Sequence, residues 1–524
     1  MNKPVRVRFA PSPTGALHIG GVRTALYNWL LAKKTGGTFI LRIEDTDQTR
    51  FVPGAEEYIM EALEWLGISP EEGVFEGGPY GPYRQSDRKP MYRQFAEQLI
   101  ADGYAYYAFD SAEELDALRK QNEAEGKTFK YDASSRLSLN NSLTKSEAYT
   151  KEKIESGDYV IRIKLPVDEQ IVFTDLIREE VNYSTHDMDD KVMLKGDGMP
   201  TYHLANVVDD YHMKITHVIR GEEWLPSTPL HIFLYRYLGW ADAMPTFAHL
   251  PLILRPDGKG KLSKRDGAKF GIPVFPLNFV NPNNSEDIAI GFREWGFEPE
   301  AVLNFLALLG WHPSDDREIF SLEELVNVFE MERVSKSGAR FDFDKARWFN
   351  QQYIFKMSDK ALAQKMKPYV EAAAFEEKVC DEYLEGVAAL MKERVDFVKE
   401  FPEKAYYLFK AADYSLMMEN EGKDFEKKVG KSWDSTKKSM FELLITKLIE
   451  VSDYKAVAIQ STVEAFINDN ALKFGDVLPV LRLALSGTMK GPGVFEMMEL
   501  LGKEEISSRL SIFFNFCDNF IPKN

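Results

Sequence analysis

Cysteine is nearly absent. The 524 residues hold two, Cys380 and Cys517, too far apart in sequence to outline a disulfide framework or a thiolate metal site. Their scarcity fits a reducing, cytosolic compartment. Long apolar runs are missing too, and none nears the roughly 18 residues that a membrane helix needs. The opening stretch, MNKPVRVRFA, has no apolar core of the kind a secretory signal carries, so none is expected. No internal repeat and no long low-complexity tract occurs. Surplus positive charge is the last absence. With 65 Lys and Arg against 82 Asp and Glu, the formal charge is −17, so the chain as a whole is no bulk electrostatic binder of nucleic acid. A local basic track on an acidic body stays compatible with that balance.

What is present describes a soluble, multi-domain protein. The hydrophobic share of 44% and charged share of 28% are those of a globular chain. Its length exceeds what one core can organise, which suggests about three to five domains.

The first 45 residues read as strand, loop, helix and strand. VRVRFA alternates with period two, and Leu17, Val22, Leu26, Leu30 and Leu31 recur near helical spacing before Gly36 and Gly37. TFILRIED then resumes strand character, so a right-handed parallel crossover is predicted. Between about Arg84 and Leu204 the texture turns to an α+β mixture. Helices are expected in PMYRQFAEQLIADG and SAEELDALRKQNEAEG, a strand in DYVIRIKLP, and irregular chain in KYDASSRLSLNNSLTKSEAY. Strands are expected again in TYHLANVVDD, ITHVIRGEEW and LPLILR, with a helix in STPLHIFLYRYLGW. From about Glu300 helical patterns dominate, including SLEELVNVFEMERV, where Ser321 and Glu324 have capping-box spacing. GKDFEKKVGKSWDSTKK reads as a polar, basic connector between helical blocks. FGIPVFPLNFVNPNNSED (270–287) reads as an added loop.

Two motifs carry chemistry. In PSPTGALHIGG, two prolines and Gly15 make a tight strand-to-helix turn, and Gly20 and Gly21 open the helix without a Cβ. A base or phosphate can approach such a backbone, and a helix N-terminus favours an anion. His18 at that mouth is placed to donate to a phosphate oxygen. An ordinary surface turn with a packed histidine is the competing reading. GKGKLSKRDG (258–267) gathers Lys261, Lys264 and Arg265 around a serine in a glycine-bounded loop, suited to nucleotide phosphates during loss of pyrophosphate. A solvated basic turn is the alternative. Each motif follows an expected parallel strand, in the order a nucleotide site would use.

PSPTGALHIGG with KLSKR resembles the paired nucleotide signatures of class I aminoacyl-tRNA synthetases. RIEDTD, GPYRQSDR, GMPTYHLANVVDD, VIRGEEW, EFPEKAYYLF and PGVFEMMELLGKE extend the resemblance, toward glutamyl-tRNA synthetases, over nearly the whole chain. It implies a Rossmann-like parallel-sheet catalytic domain (1–84 and 204–256) with an inserted α+β acceptor-binding domain (85–203). A stem-contact domain with the KLSKR loop (257–358) and two helical anticodon-binding domains (359–417 and 418–524) follow.

The resemblance implies ATP with Mg2+, L-glutamate and tRNA(Glu) as partners, a cytoplasmic monomer, and glutamate activation that needs bound tRNA. Pro11, Gly15, His18, Gly20, Gly21 and Lys264 match ATP-binding positions, with Lys261 and Arg265 assisting His18 and Lys264 in catalysis. Arg8, Tyr202 and Arg220 match residues around the glutamate γ-carboxylate, where two guanidiniums and a phenol suit a carboxylate better than an amide. Ser12 and Glu44 match the partners of the α-amino group, and Asn206 another pocket position. Glu223 and Trp224 match the pair near the tRNA terminal adenosine; Arg394, and more weakly Arg482, match anticodon-reading positions. Taken singly, Arg8 and Glu44 could be a surface ion pair, Trp224 a packed indole and Arg394 a solvated helix charge.

Three departures stand out. The stretch 104–111 has no cysteine where many bacterial relatives carry zinc ligands, so no metal site is expected there. The 270–287 loop exceeds the compact family pattern. Gly221 stands where some relatives have alanine, a change of no evident consequence from sequence. Three rivals remain: an enzyme that also charges tRNA(Gln), a glutaminyl enzyme, and a non-catalytic RNA-binding relative.

Overall fold

Alternation in VRVRFA produces strand β1 (Arg6–Phe9), with Val7 and Phe9 buried; Arg8 is buried as well, which alternation does not anticipate. In this computed structural model, residues 4–281, 284–375 and 380–520 are described. Helix α1 (Ile19–Thr35) buries Ile19, Val22, Leu26 and Leu30 completely, about 1.5–3 kcal/mol of transfer free energy each. Gly36, at φ 62°, ends it by donating its N–H to the carbonyls of Ala32 and Lys33. Strand β2 (Thr38–Leu41) returns parallel to β1, from Arg6 opposite Thr38 to Phe9 opposite Leu41, as the crossover pattern predicts.

Strand His217–Gly221 is joined to β1 at its start, where the Thr216 N–H donates to the Arg6 carbonyl (2.9 Å). It pairs in parallel with Thr246–Leu250, which meets Gln170–Asp175 at Asp175, and Glu179–Ser184 completes that sheet antiparallel. Strand 170–175, inside the stretch read as an insertion, therefore extends the sheet of the returning strands. A separate antiparallel sheet orders Ala105–Ala108, Val160–Ile163 and Val192–Leu194. Chain leaving the carboxyl ends of parallel strands is where ligand-binding loops of α/β sheets gather.

By internal contacts the chain divides into Met1–Ala346 and Arg347–Asn524. The second unit is helical in its described residues, around a core including Leu384, Val387, Phe401, Phe441, Leu481, Phe513 and the buried Cys517.

Four expectations change. TYHLANVVDD is a helix (Tyr202–His212), not a strand, because Leu204, Ala205, Val207 and Val208 are all buried in it and a short apolar run cannot reveal its period. The polar connector shrinks to 429–434, since helix Tyr414–Lys428 runs into it and helix Ser435–Glu450 begins early, Asp434 accepting the Lys437 N–H. Within 270–287, Phe279–Asn281 pairs antiparallel with Asn284–Ala289, so part of the expected loop is a hairpin; residues 282 and 283 lie outside the described residues. The helix after Ser321 has its capping box but stops at Val328, where Phe329 turns inward.

Candidate active site

The turn between β1 and α1 forms one wall of a cavity of about 560 Å3. His18 caps α1, its Nδ1 accepting the Gly20 N–H (3.0 Å). The proton of the neutral ring must then sit on Nε2, which is buried and meets no partner among the described residues. Burial, then the ammonium groups of Lys264 and Lys261, hold the imidazole down to about 4. His18 is thus a neutral donor rather than a cation at physiological pH. The His18 signal in 13C-histidine-labelled protein is expected to show no titration between about pH 5.5 and 8. A midpoint near the ordinary 6.5 would contradict the neutral-donor assignment.

The glycines of this turn do different work. Gly15 has φ 120°, and a Cβ there would lie 3.6 Å from Lys264 Nζ. A Cβ on Gly20 would approach His18 Nδ1 to 3.3 Å, and one on Gly21 would strike Leu17 Cδ1 at 2.7 Å. Gly21 therefore serves the packing of Leu17 as well as an open cavity wall.

The lysine loop closes the other side. Ser263 donates from both N (2.8 Å) and Oγ (2.6 Å) to Asp266 Oδ2, and the Asp266 N–H returns a bond to the Ser263 carbonyl (3.0 Å). This local clasp fixes the loop that presents Lys264, whose pKa is lowered by desolvation. Lys261 instead pairs with Glu223 (2.6 Å). Arg265 lines a neighbouring cavity that Lys264 and Gly15 also border, and not the one holding His18.

Beneath the cavity lies a buried ionic network. Arg8 meets Asp210 through Nε (3.0 Å) and Nη2 (3.2 Å), and Arg42 meets Asp210 (2.6 Å) and Glu44 (3.0 Å). Asp209 takes Arg88 (2.7 Å), Gln85 (2.9 Å) and the Tyr92 hydroxyl. Asn206, one helical turn from Tyr202, donates to Glu44 Oε1 (3.1 Å), which leaves Glu44 Oε2 for a ligand. Burial raises the pKa of Glu44 despite Arg42 and Arg8.

Arg220 donates to the Tyr202 hydroxyl (2.7 Å), to Thr228 Oγ1 (2.9 Å), to the Trp224 carbonyl (3.2 Å) and to His249 Nε2 (3.0 Å). The Tyr202 ring lies 4.3 Å from that of Trp224, which is 41% exposed. Gly221 does have a consequence: a Cβ there would fall 2.1 Å from Glu223 Oε2, so alanine would push the Glu223 carboxylate aside.

The cavity thus brings together Arg8, Pro11, Ser12, His18, Gly20, Gly21, Glu44, Tyr202, Asn206, Arg220, Glu223, Trp224, Lys261 and Lys264. Its lining carries six cationic side chains (Arg8, Arg23, Arg50, Arg220, Lys261 and Lys264) against three carboxylates, Glu44, Asp47 and Glu223. A chain of net charge −17 therefore has a locally cationic cavity, suited to polyphosphate beside an acidic zwitterion. Sequence reasoning missed Arg42, Asp210, Asp175, Thr228 and His249, none of which belongs to the quoted nucleotide motifs. Arg42 and Asp210 do fall inside the quoted strings RIEDTD and GMPTYHLANVVDD, where the doubled Asp209–Asp210 at the end of an apolar run was a signal; Asp175, Thr228 and His249 had none.

In the second unit, Arg394 and Arg482 converge on Tyr407. Burial pushes its phenol up to about 12 against the pull of both guanidiniums. Arg482 Nη1 is buried without a partner among the described residues, and burial, with Arg394 nearby, lowers its pKa. The pairing thus leaves one guanidinium donor unmet beside a second positive charge among the described residues.

Residues 4–348 match the family of tRNA synthetases class I (E and Q), catalytic domain, and residues 361–514 match an anticodon binding domain family. The chain is 53% identical over 511 residues to the glutamate–tRNA ligase of Flavobacterium johnsoniae, covering 97% of this chain and 99% of that one. It is 50% identical over 511 residues to that of Flavobacterium psychrophilum, with the same shares. A crystal structure of a glutamate tRNA ligase from Elizabethkingia meningosepticum, in complex with its amino acid, superposes at a TM-score of 0.91. The two are 47% identical, over 98% of this chain and 99% of that one.

Proposed function

The chain belongs to the class I tRNA synthetases for glutamate and glutamine, and from that premise we propose how its cavity joins glutamate to tRNA. The activity is ATP-dependent glutamate–tRNA ligation. The α-carboxylate of glutamate attacks the α-phosphorus of MgATP, and pyrophosphate leaves. The 2′-hydroxyl of the terminal tRNA adenosine then attacks the carbonyl of the mixed anhydride, and AMP leaves. Catalysis rests on positioning and charge stabilisation, with no protein nucleophile.

His18 Nε2–H and Lys264 stabilise charge on the phosphates, with Lys261 released from Glu223 as the nucleotide enters. Arg265 assists from the loop's outer side. Arg8, Tyr202 and Arg220 receive the γ-carboxylate, while Ser12 and Glu44 receive the α-ammonium. Glu223 and Trp224 meet the terminal adenosine. The carrying observation is that one cavity joins this amino-acid cluster to an unpaired imidazole donor and Lys264. Glu44 and Asp47 already face Arg42 and Arg50, and Glu223 is assigned to the terminal adenosine, so Mg2+ would be held chiefly by ATP oxygens.

The acceptor-binding insertion works without zinc. This is supported by the lack of thiols in 104–111, and by Asp190, which ties Tyr106 of that stretch (2.7 Å) to Arg136 and the Leu165 N–H. Arg394 and Arg482 read the anticodon by base-edge and stacking contacts. Among the described residues no helix is long and apolar enough to cross a membrane. Family membership supports a cytoplasmic monomer with the five-part domain division that the resemblance implies, the insertion lending strand 170–175 to the sheet of the returning strands.

Charging purified tRNA(Glu) and tRNA(Gln) separately tests the specificity. The first is expected to react and the second to be slower by roughly tenfold or more, the discrimination that one well-read base edge supplies. Comparable rates would support charging of both tRNAs, a reading with no observation now in its favour.

A further inference from the structure

We propose that Asp175 and His249 are positioning residues for Arg220, and that they keep its charge available for the side-chain carboxylate of glutamate. The inference rests on the assignment of Arg220 to that carboxylate.

The two arginines of the amino-acid pocket stand in opposite electrostatic situations. Arg8 is engaged by Asp210 at two nitrogens, so a carboxylate inside the protein already balances it. Arg220 is 5% exposed, yet among the described residues no carboxylate lies within ion-pairing distance of it. Its partners are a phenol, a threonine hydroxyl, a backbone carbonyl and an imidazole, all neutral. A guanidinium does not give up its proton, so Arg220 brings a whole charge to the cavity wall. A glutamate carboxylate meets that charge; the amide of glutamine does not.

Neutral acceptors can hold an arginine only if each presents a lone pair. At Nε the acceptor is His249 Nε2, which must therefore be unprotonated. The ring proton then sits on Nδ1 and donates to Asp175 Oδ2 (2.6 Å). The other oxygen, Oδ1, accepts the N–H groups of Ile177 (3.0 Å), Arg178 (2.9 Å) and His249 (3.2 Å), so the carboxylate cannot rotate. Both side chains are fully buried. Asp175 thus selects the tautomer, His249 selects the direction of the Arg220 fork, and one ring separates the carboxylate from the guanidinium. A carboxylate in direct contact would orient Arg220 equally well but neutralise it.

Asp175→Asn tests this with little change of shape. Its carbonyl oxygen would keep the three backbone N–H groups, leaving its amide nitrogen to donate toward His249 Nδ1. The ring proton would then move to Nε2 and face the Arg220 Nε–H, donor against donor. In tRNA-dependent pyrophosphate exchange the KM for glutamate is expected to rise about tenfold or more, with kcat and the KM for ATP within about twofold. A KM for glutamate within about twofold of the parent would overturn the proposal. Arg220→Ala separates the premise from the inference. If that variant leaves the KM for glutamate unchanged, the assignment of Arg220 itself fails. If it raises the KM while Asp175→Asn does not, only the positioning role fails. Should the Asp175→Asn protein not fold, 15N spectra of histidine-labelled parent protein decide, with His249 assigned against His249→Gln. The Nδ1–H tautomer is expected, and the Nε2–H tautomer would overturn the proposal.

Discussion

Lys264→Ala is expected to lower tRNA-dependent pyrophosphate exchange by about 10²- to 10³-fold, the usual cost of losing one preorganised donor to transition-state charge. Three observations single out this lysine. Gly15, at φ 120°, brings the turn before α1 beneath it, so the two nucleotide motifs meet. Among the described residues Lys264 has no carboxylate partner, whereas Lys261 is tied to Glu223. The Ser263–Asp266 clasp holds its loop without using the lysine itself. Desolvation lowers its pKa and so weakens the protonated form, which a polyphosphate would restore. The same substitution removes a neighbouring positive charge from His18, whose pKa should rise from about 4. The tRNA dissociation constant should stay within about twofold. Exchange within about threefold of the parent would remove Lys264 from the catalytic machinery, and a non-catalytic RNA-binding relative would again have to be considered.

Asp210→Asn is expected to be the most destabilising conservative change in the pocket. Asp210 receives Arg8 on two nitrogens and Arg42 on a third, and all three side chains are buried. An amide would leave two buried guanidiniums short of one negative charge. Breaking a buried pair in this way costs on the order of 3–5 kcal/mol. The thermal transition of the first unit should fall by several degrees, while that of the helical unit stays in place; an unchanged midpoint for the first unit would refute the argument. Burial alone would raise the Asp210 pKa, but Arg8 and Arg42 outweigh it and hold the carboxyl below its ordinary value. The sign of the pH dependence follows. This stabilisation is complete above the unfolded value of about 3.9 and is lost as the pH falls through the lower, folded value. Asp210→Asn should therefore abolish that part of the acid sensitivity.

Apart from what the family resemblance supplied, the features legible in the sequence are those whose job is done within a few positions of themselves. His18 caps the helix it precedes, Gly15 takes a backbone angle that side chains disfavour, and Ser321 with Glu324 closes a box across one turn. Each leaves a local pattern. Tyr202 and Asn206 were recognisable as partners, but their element was misjudged. Val207 and Val208 look the same in a buried strand and a buried helix, and only the pairing of neighbours chooses between them. Asp175, His249, Asp210 and Arg42 left almost no trace. His249 pairs with Asp175 across 74 positions and Arg42 with Asp210 across 168, and such pairings are invisible until the sheet is assembled.

Sequence by itself therefore determined the strand–turn–helix that opens a nucleotide cavity, the lysine loop that faces it, and the family to which both belong. Short-range backbone geometry and charge dictate the turn and the loop, while the family is carried by the resemblance of whole strings. Only the tertiary structure decided which charges remain unbalanced. It placed a carboxylate on Arg8 and an imidazole on Arg220, put the proton of His18 on Nε2, and gave Lys261 a partner while leaving Lys264 without one. Those outcomes depend on which distant side chains are buried together, because ion pairing and desolvation act through space and not along the chain.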